Sequence, residues 1–210
     1  MGRPVGSDSG RTRERIVREA MPTFVELGYS KATHEAVAAR TGVSRTLLYR
    51  YFESKPALFA ALLAEIKETL DKRTAEFSSA AGRSGPEQLA SFLAAAVQVH
   101  TEDPDYSRVL ATALVDGLRE PEFAGFIESW VTELREIFQT AVLQAAADGQ
   151  LHPEDDPSTV VNLLVASLWG LGLFGAFMGS AQEAEQAMDL LIRRVLPALF
   201  AGDASEADQQ

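Results

Sequence analysis

The chain has no cysteine and three histidines in 210 residues. The first absence removes disulfides and thiolate metal sites, and it suits a reducing cytoplasm. The second leaves few groups that titrate near neutrality. No HExxH, GxSxG or P-loop spacing occurs, so an enzyme is not expected. The run "HPEDDP" at 152–157 sets His152 near three acids, but its two prolines fit a solvated interhelical loop better than a metal site. We expect no metal and no cofactor. The opening stretch "MGRPVGSDSGRTRERI" has no apolar signal-peptide core, and Gly6 stands where N-myristoylation wants Ser or Thr. A cytoplasmic protein is expected.

Positive charge is scarce overall, with 19 Lys and Arg against 30 Asp and Glu and a net charge of −11. Its placement is uneven. Residues 1–60 hold ten basic and six acidic side chains, a balance of +4 that leaves −15 on the remainder. A basic head on an acidic body suggests that the head meets a polyanion while the body does something else. Charge of either sign is missing from Pro157 to Gln182, around "LWGLGLFGAFMG" at 168–179. Gly170, Gly172 and Gly175 have dinucleotide-loop spacing, but no strand precedes them and Val195 stands where an acidic residue would be needed. A membrane-associated signalling protein anchored by this run is a second reading. Its flanks, Glu154 to Asp156 and Glu183 with Glu185, lack nearby Lys or Arg and oppose a membrane role. A soluble helix buried on every side remains.

Strands are missing too, since no segment alternates convincingly, whereas helix punctuation recurs throughout. Arg11–Leu27 puts Ile16, Ala20, Phe24 and Leu27 on one face, with Gly28 as a stop. Thr33 caps a short helix ending at Gly42, Ser44 caps "RTLLYRYF", and Ser54 with Pro56 opens a longer helix. Further helices are predicted over Pro86–Thr101, Pro104–Gly117, Pro121–Asp148, from Asp156-Pro157 to about Gly179, and from a Ser180/Glu183 capping box to Gly202. The fold class is all-α, with about nine helices.

"ATHEAVAARTGVSRTLLYRYF" reads as helix, tight turn at Gly42, helix, the pattern of a helix-turn-helix. Val37, Ala38, Val43, Leu48 and Phe52 supply its small core. The second helix keeps Arg45, Thr46, Tyr49 and Arg50 in its polar set, suited to a major groove. Arg45 suits guanine, and Thr46 a base edge or a thymine methyl. Tyr49, Lys55 and the helix N-termini at Thr33 and Ser44 suit phosphates. Arg11, Arg13 and Arg15 either follow the DNA backbone or a minor groove, or are solvated surface charges. Double-stranded DNA is the expected partner.

The stretch "RERIVREAMPTFVELGYSKATHEAVAARTGVSRTLLYRYFESKPALF" resembles the N-terminal domain of TetR-family transcriptional regulators, through Phe24, Gly28-Tyr29, Thr33, Val37-Ala38, Gly42-Val43-Ser44, Leu48-Tyr49, Tyr51-Phe52, Ser54-Lys55 and Leu58-Phe59. The resemblance implies an all-α homodimer: a three-helix DNA-binding domain over residues 1–54, then a larger helical ligand-binding and dimerisation domain over 55–210. It implies DNA contacts by Thr33, Ser44, Arg45, Thr46, Tyr49 and Lys55, to which Leu47 is added as a candidate from its place on the same helix. Thr46 stands where Gly is common and Leu47 where a small polar side chain is frequent. Which side chain reads the bases is therefore open, with Leu47 favouring a thymine methyl. His34 would lie near phosphates, as a donor or as an exposed bystander.

For the body, a mostly apolar effector pocket is expected from Phe92, His100, Leu114, Phe126, Trp130, Asn162, Trp169, Phe174 and Phe177. Along the uncharged helix, Val165, Leu168, Gly172, Gly175, Ala176 and Gly179 share a small-residue face. The last helix offers Ala184, Met188, Leu191, Val195 and Leu199. Two such helices from each chain would form a four-helix dimer core, with the aromatic face turned toward the pocket. The function implied is a repressor released from a palindromic operator by a small molecule; an activator is the alternative.

Overall fold

The computed structural model describes residues 5–78, 83–117, 119–178 and 180–200, and every regular element among them is helical. α1 is Val5–Lys31, α2 His34–Thr41, α3 Arg45–Tyr51 and α4 Lys55–Ser78. The body continues with α5 Gly85–Glu102, α6 Pro104–Gly117, α7 Pro121–Ala147 and α8 Pro157–Met178. The last helix, α9, runs Ala181–Leu190, widens into a π segment over Leu191–Val195 and ends as Leu196–Phe200.

Local chemistry explains the boundaries. Thr33 accepts from the Ala36 amide at 3.2 Å, Ser44 from Leu47 at 3.1 Å and Ser54 from Ala57 at 3.2 Å. Each hydroxyl satisfies an amide that its helix leaves unpaired. Gly42 takes φ 66° and ψ 12°, a left-handed turn that a β-carbon would strain. Asp156 starts α8 by accepting from the Thr159 amide at 2.9 Å and the Ser158 hydroxyl at 2.6 Å. These bonds, Ser158 first, hold its carboxyl below the ordinary aspartate value. Ser180 caps α9 through the Glu183 amide at 3.1 Å.

Two expected boundaries need correcting. α1 starts at Val5, not Arg11, so Arg11, Arg13 and Arg15 ride on the helix and do not precede it. Gly28, with φ 70° and ψ 165°, breaks α1 without ending it, since helical structure resumes to Lys31. The predicted helix end near Gly202 lies outside the described residues.

Two apolar cores fill the molecule. The first joins Ile16, Phe24, Tyr29, Leu48, Phe59 and Leu63 to Val109, Leu110, Phe123 and Trp130, so α1–α4 pack continuously onto α6 and α7. The second gathers Leu89, Leu93, Phe138, Val142, Leu164, Met188, Leu196 and Phe200 from α5 and α7–α9. Trp169 packs against both. The helix-turn-helix core residues expected from the sequence are buried: Val37, Ala38, Val43, Leu48 and Phe52.

α8 is the one helix among the described residues that is long and apolar enough to cross a membrane. Within one chain it is buried on one side only. Val160, Val161, Leu164 and Val165 enter the core, while Leu163, Phe174, Phe177 and Met178 stand exposed.

At the first residue of α5 a β-carbon would lie 2.2 Å from the Ala141 carbonyl oxygen on α7, so Gly85 sets how closely these helices cross. Backbone cannot yield cheaply there. Gly85→Ala is expected to cost about 1–3 kcal/mol. Chemical denaturation would register it as a lower midpoint with an unchanged slope, and an unchanged midpoint would contradict it.

Candidate nucleic-acid interface and ligand cavity

α3 is seven residues long and holds its place through Leu48, which is buried, and Leu47, which leans half-buried on the same core. Ser44, Arg45, Thr46, Tyr49 and Arg50 are left exposed along its outer side. Thr33 is exposed at the start of α2. Two helix N-termini, each with a hydroxyl cap, therefore flank a short helix carrying one free-standing face of donors. That arrangement fits a DNA groove and its two phosphate edges.

The aromatic and charged contacts fix this face. His34 is only 6% exposed, stacks on Tyr49 at 4.4 Å with 6° between the rings, and its Nε2 lies 3.3 Å from the Phe52 carbonyl. The expectation of a phosphate donor or an exposed bystander is thus corrected: His34 is the plate on which Tyr49 rests. Lys55 is engaged inside the protein. Its Nζ donates to the Tyr29 carbonyl at 2.9 Å and the Ser30 carbonyl at 3.2 Å, and it sits 4.2 Å from the Tyr29 ring centre. It closes the C-terminal end of α1, where unpaired carbonyls attract a cation. Leu47 is partly consumed by core packing. Arg13 lies over the Phe52 ring at 5.1 Å, which ties α1 to the end of α3.

Sequence reasoning missed Glu35. Its Oε1 lies 2.7 Å from the Arg45 guanidinium, which also covers the Tyr49 ring at 5.6 Å. The backbone N–H at the open end of α2, then the Thr33 hydroxyl, and more weakly Arg45 hold the Glu35 carboxyl below the ordinary glutamate value. Its charge is therefore kept at neutral pH and lost only as the pH falls through that lowered value. Tyr49 and then Glu35 raise Arg45 further. No periodicity links residue 35 to residue 45; only the turn at Gly42 brings them together.

A cavity opens in the body between α4, α5, α6, α7 and α8, with about 740 Å³ of empty space including its mouth. Phe92, Leu110, Leu114, Trp130, Trp169 and Leu173 make its walls. Asp71 and Glu133 are the charged side chains in its lining. Lys67 bridges them, at 2.8 Å from Asp71 and 2.7 Å from Glu133. Partial burial works against the ammonium, but the two carboxylates together raise it above the ordinary lysine value. The Trp169 indole N–H is buried without an acceptor.

The geometry has counterparts among known proteins. Residues 16–62 match the family described as "Bacterial regulatory proteins, tetR family", and residues 86–191 match "Tetracyclin repressor-like, C-terminal domain". The chain belongs to the TetR family. It is 27% identical over 192 residues to the HTH-type transcriptional regulator SrpR of Pseudomonas putida, covering 88% of this chain and 84% of that one. It is 23% identical over 189 residues to the HTH-type transcriptional repressor DhaR of a Mycobacterium species, covering 88% and 92%. A TetR transcription regulator from Haloarcula marismortui shares the fold with a TM-score of 0.77, 19% identity and coverage of 90% and 98%. The protein is a DNA-binding transcriptional regulator with an N-terminal helix-turn-helix. Its relatives are named as regulators and not as enzymes. TetR-family proteins bind DNA and small-molecule effectors and act as dimers.

Of the pocket residues expected from sequence, this TetR-family chain places Phe92, Leu114, Trp130 and Trp169 in the cavity wall. The side chain of His100 lies outside the described residues. Phe126 stands behind the wall, edge-on to Trp130 at 5.8 Å. Asn162 is exposed and accepts a hydrogen bond from Arg135. Phe174 and Phe177 are not in the cavity wall and are 41% and 74% exposed.

The inward face of α8 is mixed: Leu173 lines the cavity as expected, whereas Phe174 and Phe177 do not. Leu168 and Gly172 line the cavity, and Val165, Ala184 and Met188 are buried within the protomer. A β-carbon at Gly175 would meet that of Ala184 at 3.2 Å, so the glycine spaces α8 against α9 of its own chain. Ala176 is half-buried, and Leu191 and Leu199 pack partly on the second core. Val195 is exposed, and Gly179 lies outside the described residues.

These positions separate two roles on the DNA-binding head. Arg45→Ala is expected to flatten discrimination at particular base pairs by about tenfold or more while leaving non-specific binding nearly intact. Lys55→Ala is expected to weaken all sequences alike and to lower the melting temperature. Competition binding on a panel of single-base operator variants, with a thermal melt of each mutant, distinguishes them. Uniform loss with Arg45→Ala would remove it from the reading set, and an unaltered melt with Lys55→Ala would contradict its role at the end of α1.

Proposed function

We propose that the protein is a homodimeric repressor that leaves a palindromic operator when a small, mostly apolar molecule enters the cavity. The observation carrying this reading is that the cavity wall and the head share one core. Leu110 and Trp130 line the cavity and belong to the cluster that also contains Phe24, Tyr29 and Leu48. Between them and the head stands Phe123, 4.5 Å from Tyr29 and 5.0 Å from Phe59, edge-on to both. A ligand that pushes Leu110 or Trp130 outward shifts α6 and the start of α7, and the packed rings carry that shift to α1. Close-packed interiors transmit such displacements because they leave no slack to absorb them.

Residues 1–54 in this reading contact DNA through Thr33, Ser44, Arg45, Thr46 and Tyr49, with Leu47 as a supporting contact, while Lys55 braces the end of α1 behind them. Residues 55–210 bind effector and dimerise. The dimer would use the outward face of α8, where Leu163, Phe174 and Phe177 stand, with Val195 of α9 alongside. Burying each of these large side chains contributes about 1.5–3 kcal/mol. Two heads held about 34–36 Å apart would reach successive major grooves. A ligand preferring the DNA-incompetent spacing by about 3 kcal/mol lowers operator affinity roughly a hundredfold. The name of the mycobacterial relative, a repressor, supports the sign of regulation. The acidic body keeps DNA on the heads, and the uncharged helix is covered by protein rather than lipid, so the cytoplasm is the expected location.

Footprinting of the purified protein on genomic DNA tests this. A two-fold symmetric protected site is expected, with affinity falling steeply between about 50 and 200 mM salt. Protection without symmetry, or affinity indifferent to salt, would count against it. Phe174→Asp with Phe177→Asp should give monomers in sedimentation and cost the operator at least about a hundredfold in affinity; a double mutant that remains dimeric rejects the α8 face.

A further inference from the structure

We infer that the effector is an aromatic or bulky apolar cation, a conclusion that rests on the cavity being the effector site. Among the described residues the cavity lining carries two charges, and both are negative: Asp71 from α4 and Glu133 from α7. A single ammonium, Lys67, lies between them outside the lining, so the mouth retains one uncompensated carboxylate charge. The same wall holds the rings of Trp130 and Trp169, with centres 5.8 Å apart and planes at 74°, and that of Phe92. Indole faces attract cations through the ring quadrupole, and the attraction grows as water is excluded. The two features act on one molecule: the apolar bulk of a ligand enters the wall while its positive charge stays within reach of Asp71 and Glu133. An anion of the same shape would instead face two carboxylates. The body's −15 balance adds a field of the same sign, which concentrates cations at the mouth.

The protein carries its own reporter. It has two tryptophans, and both are in this wall. Tetraphenylphosphonium and tetraphenylborate have nearly the same shape and opposite charge, so titrating each against tryptophan fluorescence isolates the sign of the site. The phosphonium is expected to bind about tenfold or more tighter than the borate, and to release operator DNA over the same concentration range. Asp71→Asn with Glu133→Gln should erase most of that preference. Lys67→Met should enhance it by leaving both carboxylates uncompensated, and this opposite sign provides a second test should the double variant not fold. Borate binding as tightly as phosphonium, or a preference unmoved by Lys67→Met in a folded protein, overturns the cationic assignment and leaves the cavity reading standing. If neither probe perturbs the tryptophans, the cavity reading fails and the assignment falls with it.

Discussion

The contact on which the molecule turns is the aromatic joint between head and body. Phe24, Tyr29 and Phe59 come from α1 and α4, and Phe123 comes from the start of α7. Each is within 5.1 Å, centre to centre, of at least one other ring. Edge-on and tilted pairs of this kind add to the area they bury and restrict how the partners can slide. Lys55 pins the same spot from the polar side, by holding the Tyr29 and Ser30 carbonyls. The break at Gly28 is what turns Tyr29 into the joint while α1 still reaches the head. The joint belongs to the same core that supplies Leu110 and Trp130 to the cavity wall.

The cavity stands at the opposite end of that packed path. Its wall uses Leu110 and Trp130 from the joint's own core and Trp169 from between the two cores. The indole N–H of Trp169 has no acceptor within the protein, which leaves it a donor for whatever occupies the cavity it lines.

Much of the head was legible in the sequence because its signals are local. Thr33, Gly42, Ser44 and Ser54 act on amides or carbonyls within four residues, and the structure uses each as its residue type requires. His34 and Lys55 were harder, since their partners Phe52, Tyr29 and Ser30 lie 18 to 26 residues away and meet them only after folding. Charged side chains read as solvated faces, which hid Glu35, Asp71 and Glu133. α8 was less legible for another reason. A helix apolar on all sides has no patterned face, so its orientation is set by α6, α7 and α9 and not by its own sequence. The large apolar wall residues Phe92, Leu114, Trp130 and Trp169 were visible as candidates, whereas Phe174 and Phe177 could be turned outward only by that tertiary choice.

The ion pair between Glu35 and Arg45 bears on how such a protein would search a genome. In the proposed complex, Arg45 must leave a carboxylate it already holds before it can meet a base. Over an unsuitable sequence the exchange would return nothing, and the arginine would stay paired with Glu35. Over a guanine it trades one charged acceptor for two acceptors in a fixed fork. The pair is solvent-exposed, so releasing it would cost about 0–1 kcal/mol per exchange. A carboxylate on a DNA-binding face, which looks at first like a misplaced charge, would shorten the time spent on every wrong site.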